Sequence, residues 1–241
     1  MLRVHSIESL GTYDGPGIRL IVFLQGCNFK CSYCANVDTI PLVGGDLMQI
    51  EDIVAMAINQ KPFFGKKGGV TISGGEPLLQ AKELIPLFKR LREENINTCI
   101  DTNGSVFNDS VKELLEYTDL VLLDIKHINE KDHVKITSKK NQPTLELAEY
   151  LKSKGKRTWL RYVLVPTLTD NEEDLNKLGK HFENFSNIEK LEIQPYHSLG
   201  VHKYEHMGLN YTLKDIKKNT PEQLNKAQNI LEQYFKNIIV N

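Results

Sequence analysis

Short apolar runs recur along this chain, and they constrain its fold more than any other feature. Most do not alternate with polar residues; the six runs cover residues 20–24, 70–73, 98–100, 120–125, 159–165 and 188–193. Such runs are typical of strands buried on both faces, as in a parallel sheet. Between them lie apolar residues at helical spacing, for example Ala81, Leu84 and Phe88. The alternation predicts repeated right-handed βαβ units in an α/β fold.

Two helix starts carry recognisable capping signals. Asp170 and Glu173 have the spacing of a capping box. Thr220, followed by Pro221 and Gln223, carries a similar signal near the end of the chain. The 241 residues show no linker that would separate two domains, so we expect one domain over residues 1–241.

Composition excludes several classes of partner. The formal net charge is −1 and no long basic block is present, whereas nucleic-acid binding requires a concentrated basic surface. The apolar runs are far too short to cross a bilayer, and the N-terminus lacks the pattern of a signal peptide. We therefore expect no nucleic acid, no membrane and a cytoplasmic location.

Residues capable of chemistry end or directly follow five of the six predicted strands. These residues are Gly26 and Cys27; Ser73, Gly74, Gly75 and Glu76; Asp101, Thr102, Asn103 and Gly104; Asp124 and Lys126; and Glu192, Gln194, Tyr196 and His197. In α/β barrels the active site lies at the carboxyl ends of the strands. The pattern thus predicts one functional site at that edge.

Three of the four cysteines, Cys27, Cys31 and Cys34, lie in one short segment, and Cys99 lies in an apolar run. Clustered cysteines in a reducing compartment indicate a metal site rather than disulfides. Three thiolates suit a soft metal or an iron–sulfur cluster. Structural zinc normally has four ligands and no fourth lies nearby in sequence, although a zinc site completed by a distant histidine remains an alternative. A four-iron cluster on three thiolates would leave one iron open for catalysis.

The segment GCNFKCSYC, residues 26–34, resembles the signature of the radical S-adenosylmethionine superfamily. Further segments narrow the resemblance to the activating enzymes of pyruvate formate-lyase; they are residues 6–9, 14–19, 73–77, 99–104, 124–126 and 195–197. The resemblance covers nearly the whole chain. It implies a partial (β/α)6 TIM-like barrel, the radical SAM fold, with the cluster loop at residues 27–34.

The resemblance also implies a reaction. A 4Fe-4S cluster on Cys27, Cys31 and Cys34 would cleave S-adenosylmethionine reductively to a 5′-deoxyadenosyl radical, which would abstract a hydrogen atom from a glycine of pyruvate formate-lyase. The expected partners are pyruvate formate-lyase and a flavodoxin- or ferredoxin-type electron donor, and the expected state is a monomer. The alternatives are an activase of another glycyl-radical enzyme and a radical SAM enzyme acting on a small molecule. No cysteine lies between Cys34 and Cys99, so an inserted segment with an auxiliary cluster is not expected.

The resemblance assigns roles to single residues. Asp14 is expected near the incoming glycine loop, as a catalytic residue. The expected cofactor-binding residues are Tyr33, Cys34, Ala35, Gly74, Gly75, Glu76, Asp101, Asp124, Ile125, Lys126, Arg161 and His197. Ala35 departs from the family pattern, in which many members carry a histidine, so only a backbone contact is expected there.

A cation is expected at the edge of the sheet, and the resemblance at Asp101, Thr102 and Asp124 implies sodium or potassium. Two acidic residues end adjacent predicted strands, and two nearby carboxylates need a compensating charge. The expected ligands are Asp101, Thr102, Leu122 and Asp124, because an all-oxygen set suits a hard cation. The alternative is an ordinary ion pair between Asp124 and Lys126.

The separation of Cys99 from the other cysteines gives a first prediction. Cys99→Ser is expected to retain the brown chromophore and the cleavage of S-adenosylmethionine. Cys31→Ser, the matched control, is expected to lose both, because it removes a thiolate ligand. Iron and sulfide analysis after anaerobic purification measures the difference, and the opposite pattern would show that the ligands are misassigned.

Overall fold

The computed structural model describes residues 1–241, which divide into two compact units. Unit 1 consists of Met1–Asn28 and Thr39–Leu122, and unit 2 consists of Phe29–Asp38 and Leu123–Asn241. The expectation of a single domain over residues 1–241 stays a prediction. None of the helices is long and apolar enough to cross a membrane.

The chain forms nine strands and eight α-helices. The strands are β1 (Leu2–Gly11), β2 (Arg19–Leu24), β3 (Asp46–Met48), β4 (Gly69–Gly74), β5 (Asn97–Thr102), β6 (Leu120–Asp124), β7 (Thr158–Leu164), β8 (Ile188–Pro195) and β9 (Ile238–Val240). The helices are α1 (Ile50–Phe64), α2 (Ala81–Glu93), α3 (Asp109–Glu116), α4 (Glu130–Thr137), α5 (Gln142–Ser153), α6 (Glu172–Phe182), α7 (Val201–His206) and α8 (Pro221–Leu231). All six predicted apolar runs are strands.

Unit 1 is built on the strand order β3-β1-β2-β4-β5, with β6 continuing beside β5. β1 pairs antiparallel with both β2 and β3, whereas β2, β4 and β5 run parallel. Helices α1 and α2 pack against these parallel strands and contribute to their burial. In α2, Leu84, Leu87, Phe88 and Leu91 are fully buried, and their spacing forms the apolar stripe that the sequence predicts.

Arg19, the first residue of β2, is fully buried and connects the amino-terminal ends of the parallel strands. Its guanidinium donates to Thr71 Oγ1 at 2.5 Å, to the Val70 carbonyl at 2.8 Å and to Asn97 Oδ1 at 3.0 Å. It also donates to the Pro16 carbonyl at 3.1 Å. The turn between β1 and β2 is thereby held against the starts of β4 and β5. Burial lowers the pKa of this guanidinium, which nonetheless keeps its charge.

Unit 2 contains the end of β6 and the order β7-β8-β9, with parallel pairing of β7 to β8 and of β8 to β9. Helices α6 and α8 pack together, and Tyr234 after α8 donates to Asn176 Oδ1 at 2.8 Å. A Cβ atom at Gly179 would lie 2.1 Å from the Tyr234 ring. Glycine is therefore required where this ring meets α6.

The structure corrects two details of the predicted elements. The α6 cap is Asn171, whose side chain accepts from Glu173 and Asp174; Asp170 instead accepts from the Thr167 amide at 2.7 Å. Strands β1, β3 and β9 were not predicted, because β1 mixes polar and apolar residues and the other two are only three residues long. The capping box of Thr220 and Gln223 before α8 is confirmed.

Candidate active site

In unit 1, the carboxyl ends of three parallel strands meet at one edge. Leu24 of β2 is paired with Gly74 of β4, and Ile72 is paired with Ile100 of β5. This register brings three predicted segments to that edge: residues 26–27, 74–76 and 101–104. These segments therefore meet at one edge within unit 1, and the function of that edge stays a prediction.

The Gly74–Gly75 turn lies directly against the end of β2. The Gly75 amide donates to the Leu24 carbonyl at 2.9 Å, and the Glu76 amide donates to the Gly26 carbonyl at 2.8 Å. Gly74 has a φ of +106°, and a Cβ atom at Gly75 would lie 2.1 Å from the Gly26 oxygen. Only glycine permits this conformation and this approach. The turn is thus fixed to the residue that precedes Cys27.

Glu76 is fully buried and uses its carboxylate inside unit 1. It accepts from the Leu78 amide at 2.9 Å, from Thr102 Oγ1 at 2.5 Å and from the Asn103 amide at 2.8 Å. Burial raises the pKa of Glu76 to about 7, against the opposite effect of these three donors. The side chain joins the loop after β4 to the end of β5 and its following loop, and it leaves the partly exposed backbone of Gly74 and Gly75 as the surface open to a ligand.

Two polar contacts complete the edge in unit 1. Ser73 Oγ donates to Asp101 Oδ2 at 2.8 Å. The side-chain amide of Asn103 lies 3.8 Å from the sulfur of Cys27. Ser73 therefore positions the Asp101 carboxylate, and Asn103 lies beside the Cys27 sulfur.

Asp14 lies further down the same face of unit 1. Thr71 Oγ1 donates to the Asp14 carbonyl oxygen at 2.6 Å. Thr71 precedes Ser73 by two residues on β4, so both side chains share one face and lie roughly 7 Å apart along the strand. Measured along β4, the Asp14 backbone therefore lies roughly 7 Å from Asp101, because Thr71 contacts Asp14 and Ser73 contacts Asp101.

In unit 2, the end of β6 carries a partly buried ion pair. Lys126 Nζ lies 2.7 Å from Asp124 Oδ2, with side-chain exposures of 14% and 18%. Burial opposes the charge of Lys126, but Asp124, Tyr33 and Cys31 raise its pKa well above the usual value. The ammonium lies 5.9 Å from the centre of the Tyr33 ring. Lys126 thus stays protonated beside an aromatic residue of the cysteine segment.

Arg161 of β7 is held in a buried ion pair inside unit 2. Its Nε donates to Glu192 Oε2 at 2.9 Å, and both residues are buried. Lys190 also lies 2.7 Å from Glu192. The Arg161 carbonyl accepts from the Ile125 amide at 2.9 Å. The position of Ile125 is therefore fixed by the backbone of β7.

The end of the cysteine segment is held by helix α7. Tyr204 Oη donates to the Cys34 carbonyl at 3.1 Å. Lys203 Nζ donates to Asn36 Oδ1 and to Asp38 Oδ1, both at 3.0 Å. Gly200, just before α7, lies so close to Ala35 that a Cβ atom would be 2.4 Å from its carbonyl oxygen. The segment from Cys34 to Asp38 is therefore tied to α7 at several points.

His197 lies in the exposed segment between β8 and α7. Its Nδ1 accepts from the Leu199 amide at 3.4 Å. In the neutral ring the proton then lies on Nε2. The imidazole can therefore donate one hydrogen bond to a ligand.

The cysteines have the character that an iron–sulfur cluster requires. None of the four is in a disulfide, and Cys27, Cys31 and Cys34 are partly exposed whereas Cys99 is buried in β5. Burial raises the pKa of the Cys34 thiol, so iron binding has to displace its proton. The three accessible thiols of one segment fit a cluster with three cysteine ligands.

Comparison with known proteins identifies the family. The Radical SAM superfamily model matches residues 21–178. The pyruvate formate-lyase-activating enzyme of Clostridium pasteurianum is 44% identical over 240 residues, with 99% of each chain covered. The pyruvate formate-lyase 1-activating enzyme of Escherichia coli K12 is 43% identical over 235 residues, with 96% of each chain covered. The chain belongs to the family of pyruvate formate-lyase-activating enzymes.

Solved structures show that this family member has the radical SAM fold. Streptococcus suis SuiB with its precursor peptide SuiA has a TM-score of 0.70 and 20% identity, covering 92% of this chain and 48% of that chain. A domain of pyruvate-formate lyase-activating enzyme from Bacteroides vulgatus has a TM-score of 0.61 and 21% identity, covering 72% of this chain and 99% of that chain. The predicted class, a partial (β/α)6 barrel of the radical SAM type, is confirmed.

Membership of the family establishes the cofactors of this enzyme. They are a 4Fe-4S cluster, which the motif of Cys27, Cys31 and Cys34 fits, and S-adenosylmethionine.

The sequence pattern does not reveal several contacts at the site. Asn103, Lys203 and Tyr204 reach the cysteine segment from residues 76 to 170 positions away in the chain. Asn103 stands in the segment DTNG, which begins at the end of β5 and continues past it, and this is the only sequence signal for any of the three.

The close approach of Gly200 to Ala35 gives a second prediction. Gly200→Ala is expected to displace the Cys34–Ala35 backbone, because the new Cβ atom would contact main-chain atoms that cannot move independently; overpacking of this kind costs about 1–3 kcal/mol. We expect less iron per chain after anaerobic reconstitution and weaker binding of S-adenosylmethionine.

Gly155→Asn serves as the control, because a Cβ atom there would meet nothing within 4 Å and asparagine tolerates the φ of +58° at this position. It is expected to keep full iron content. Full iron content and unchanged affinity in Gly200→Ala would contradict the role of α7.

Proposed function

We propose that this enzyme activates pyruvate formate-lyase by forming a glycyl radical on it. The observation that carries the proposal is the three-cysteine segment within a chain that matches activating enzymes over 96–99% of its length. When bound, the reduced cluster supplies one electron, which cleaves S-adenosylmethionine to methionine and a 5′-deoxyadenosyl radical that abstracts a hydrogen atom from the glycine.

The residues at the edge of unit 1 bind and orient the cluster and S-adenosylmethionine. Cys27 contributes one of the three thiolates, and Cys31 and Cys34 of unit 2 contribute the others. The backbone of Gly74, Gly75 and Glu76 receives the amino group of S-adenosylmethionine. This is supported by the glycine turn, whose main-chain atoms carry no side chain that would block a ligand.

The residues of unit 2 recognise the rest of S-adenosylmethionine. Lys126 is protonated and pairs with its carboxylate, and Tyr33 packs near the adenine. The backbone of Cys34, Ala35 and Ile125 contacts the nucleoside, and His197 donates to the adenosyl group. Arg161 stays a weaker candidate for the carboxylate, because its guanidinium is buried and already paired with Glu192.

Two further roles concern the protein partners. Asp14, in the turn that Arg19 and Thr71 hold, lies near the incoming glycine loop of pyruvate formate-lyase. A flavodoxin- or ferredoxin-type protein supplies the electron, and the enzyme acts as a monomer.

Electron paramagnetic resonance tests the activity directly. A mixture of this enzyme, pyruvate formate-lyase, S-adenosylmethionine and a reductant is expected to give a glycyl-radical signal on the lyase. The Cys34→Ala variant and a sample without S-adenosylmethionine are expected to give none. A radical that forms on an anaerobic ribonucleotide reductase but never on pyruvate formate-lyase would replace the proposed partner.

A monovalent cation, sodium or potassium, completes the proposed site. Its proposed ligands remain the side chains of Asp101, Thr102 and Asp124 and the carbonyl of Leu122. Within unit 1, Ser73 already donates to Asp101, and within unit 2 Lys126 pairs with Asp124. The ion pair offsets the charge of Asp124 until Lys126 binds the cofactor carboxylate, after which the cation is needed.

Cation exchange tests this part of the proposal. Replacing sodium and potassium by tetramethylammonium is expected to weaken S-adenosylmethionine binding about tenfold, the size of one charge-assisted interaction. Asp124→Asn is expected to abolish the dependence on the cation. Calorimetric titration of the loaded enzyme measures both, and an affinity that is indifferent to the cation would exclude the site.

A further inference from the structure

The Cys27 sulfur has a hydrogen-bond donor from another loop. The side-chain Nδ2 of Asn103 lies 3.8 Å from Cys27 Sγ, and Asn103 is only 6% exposed. We propose that Asn103 tunes the cluster, by donating a hydrogen bond to the Cys27 thiolate and so raising the reduction potential. The proposal rests on the cluster assignment made above and concerns a residue with no role assigned so far.

The orientation of the Asn103 amide is fixed by its other contact. Its Oδ1 accepts from the Ser105 amide at 2.9 Å. A backbone N–H can only donate, so the oxygen must face Ser105 and the NH2 group must face Cys27. The donor at the sulfur therefore follows from the network and not from an arbitrary choice between the two ends of the amide.

Hydrogen bonds also hold the backbone of the loop after β5. The Asn103 amide donates to the buried Glu76 carboxylate at 2.8 Å, and the Gly104 amide donates to Thr102 Oγ1 at 2.9 Å. Ser105 Oγ donates to Asn28 Oδ1 at 2.8 Å, next to Cys27. The loop after β5 is therefore attached to both sides of the cysteine position.

The sign of the effect follows from charge. Reduction adds one negative charge to the cluster and its thiolates, and a hydrogen bond to sulfur stabilises the more negative state more strongly. Hydrogen bonds to the sulfurs are among the factors that set cluster potentials. Asn103 therefore makes it easier for an external one-electron donor to reduce the cluster.

A redox titration of the full-length, reconstituted protein tests this, without S-adenosylmethionine or partner. Asn103→Leu removes the donor at similar volume. At a fixed potential, its ratio of reduced to oxidised cluster should fall about fivefold, which corresponds to one hydrogen bond. Asn103→Asp keeps the acceptor for Ser105 but replaces the donor with a carboxylate oxygen, and its ratio should fall further.

Ser105→Ala is the matched control. It removes the hydroxyl contact with Asn28 but keeps the backbone amide that orients Asn103, so its ratio should stay within about twofold of the wild type. Electron paramagnetic resonance measures the reduced fraction, and iron analysis checks that each variant is fully loaded.

Three outcomes distinguish a wrong cluster assignment from a wrong role for Asn103. A wild-type protein without an iron–sulfur chromophore would overturn the cluster assignment itself. Fully loaded Asn103 variants with the wild-type potential would overturn only the tuning role. If both Asn103 variants fail to load while Ser105→Ala loads, Asn103 retains the cluster and the proposed tuning is wrong.

Discussion

The buried carboxylate of Glu76 determines the arrangement of unit 1 at its functional edge. Three donors from the loops after β4 and β5 converge on it, two of them backbone amides. A buried N–H without a partner costs about as much as a lost hydrogen bond. The carboxylate thus links the loop after β4 to Thr102 and Asn103, while the Leu24 carbonyl holds Gly75.

Neighbouring residues of the loop after β4 have different roles in the structure. The segment SGGE looks like a single ligand-binding unit, yet its glycines and its glutamate behave differently. The glycines allow close backbone approach at the edge, whereas the glutamate is turned inward as a structural acceptor. The main chain of Gly74 and Gly75 is thus pre-organised by the Glu76 carboxylate, which does not itself face the ligand.

Unit 2 places its buried charges in contact with charges of opposite sign. Lys126 pairs with Asp124, and Arg161 and Lys190 share Glu192. A buried ion is costly unless it is paired, so these pairs limit which charges can serve a ligand. Lys126 keeps more exposure than Arg161, and this makes it the better partner for an incoming carboxylate.

The sequence by itself determined the parallel strands, the cysteine motif and the cap of α8, because each depends on residues that are neighbours in the chain. Apolar runs mark strands wherever both faces are buried, and three cysteines within eight residues supply ligands from one segment. It missed β1, whose antiparallel pairing leaves a mixed pattern, and it placed the α6 cap at Asp170, one residue before Asn171. Only the tertiary structure decided that Asn103 faces Cys27 and that Tyr204 binds Cys34, 76 and 170 residues away. Contacts over such separations depend on strand order and loop path, which no local pattern encodes.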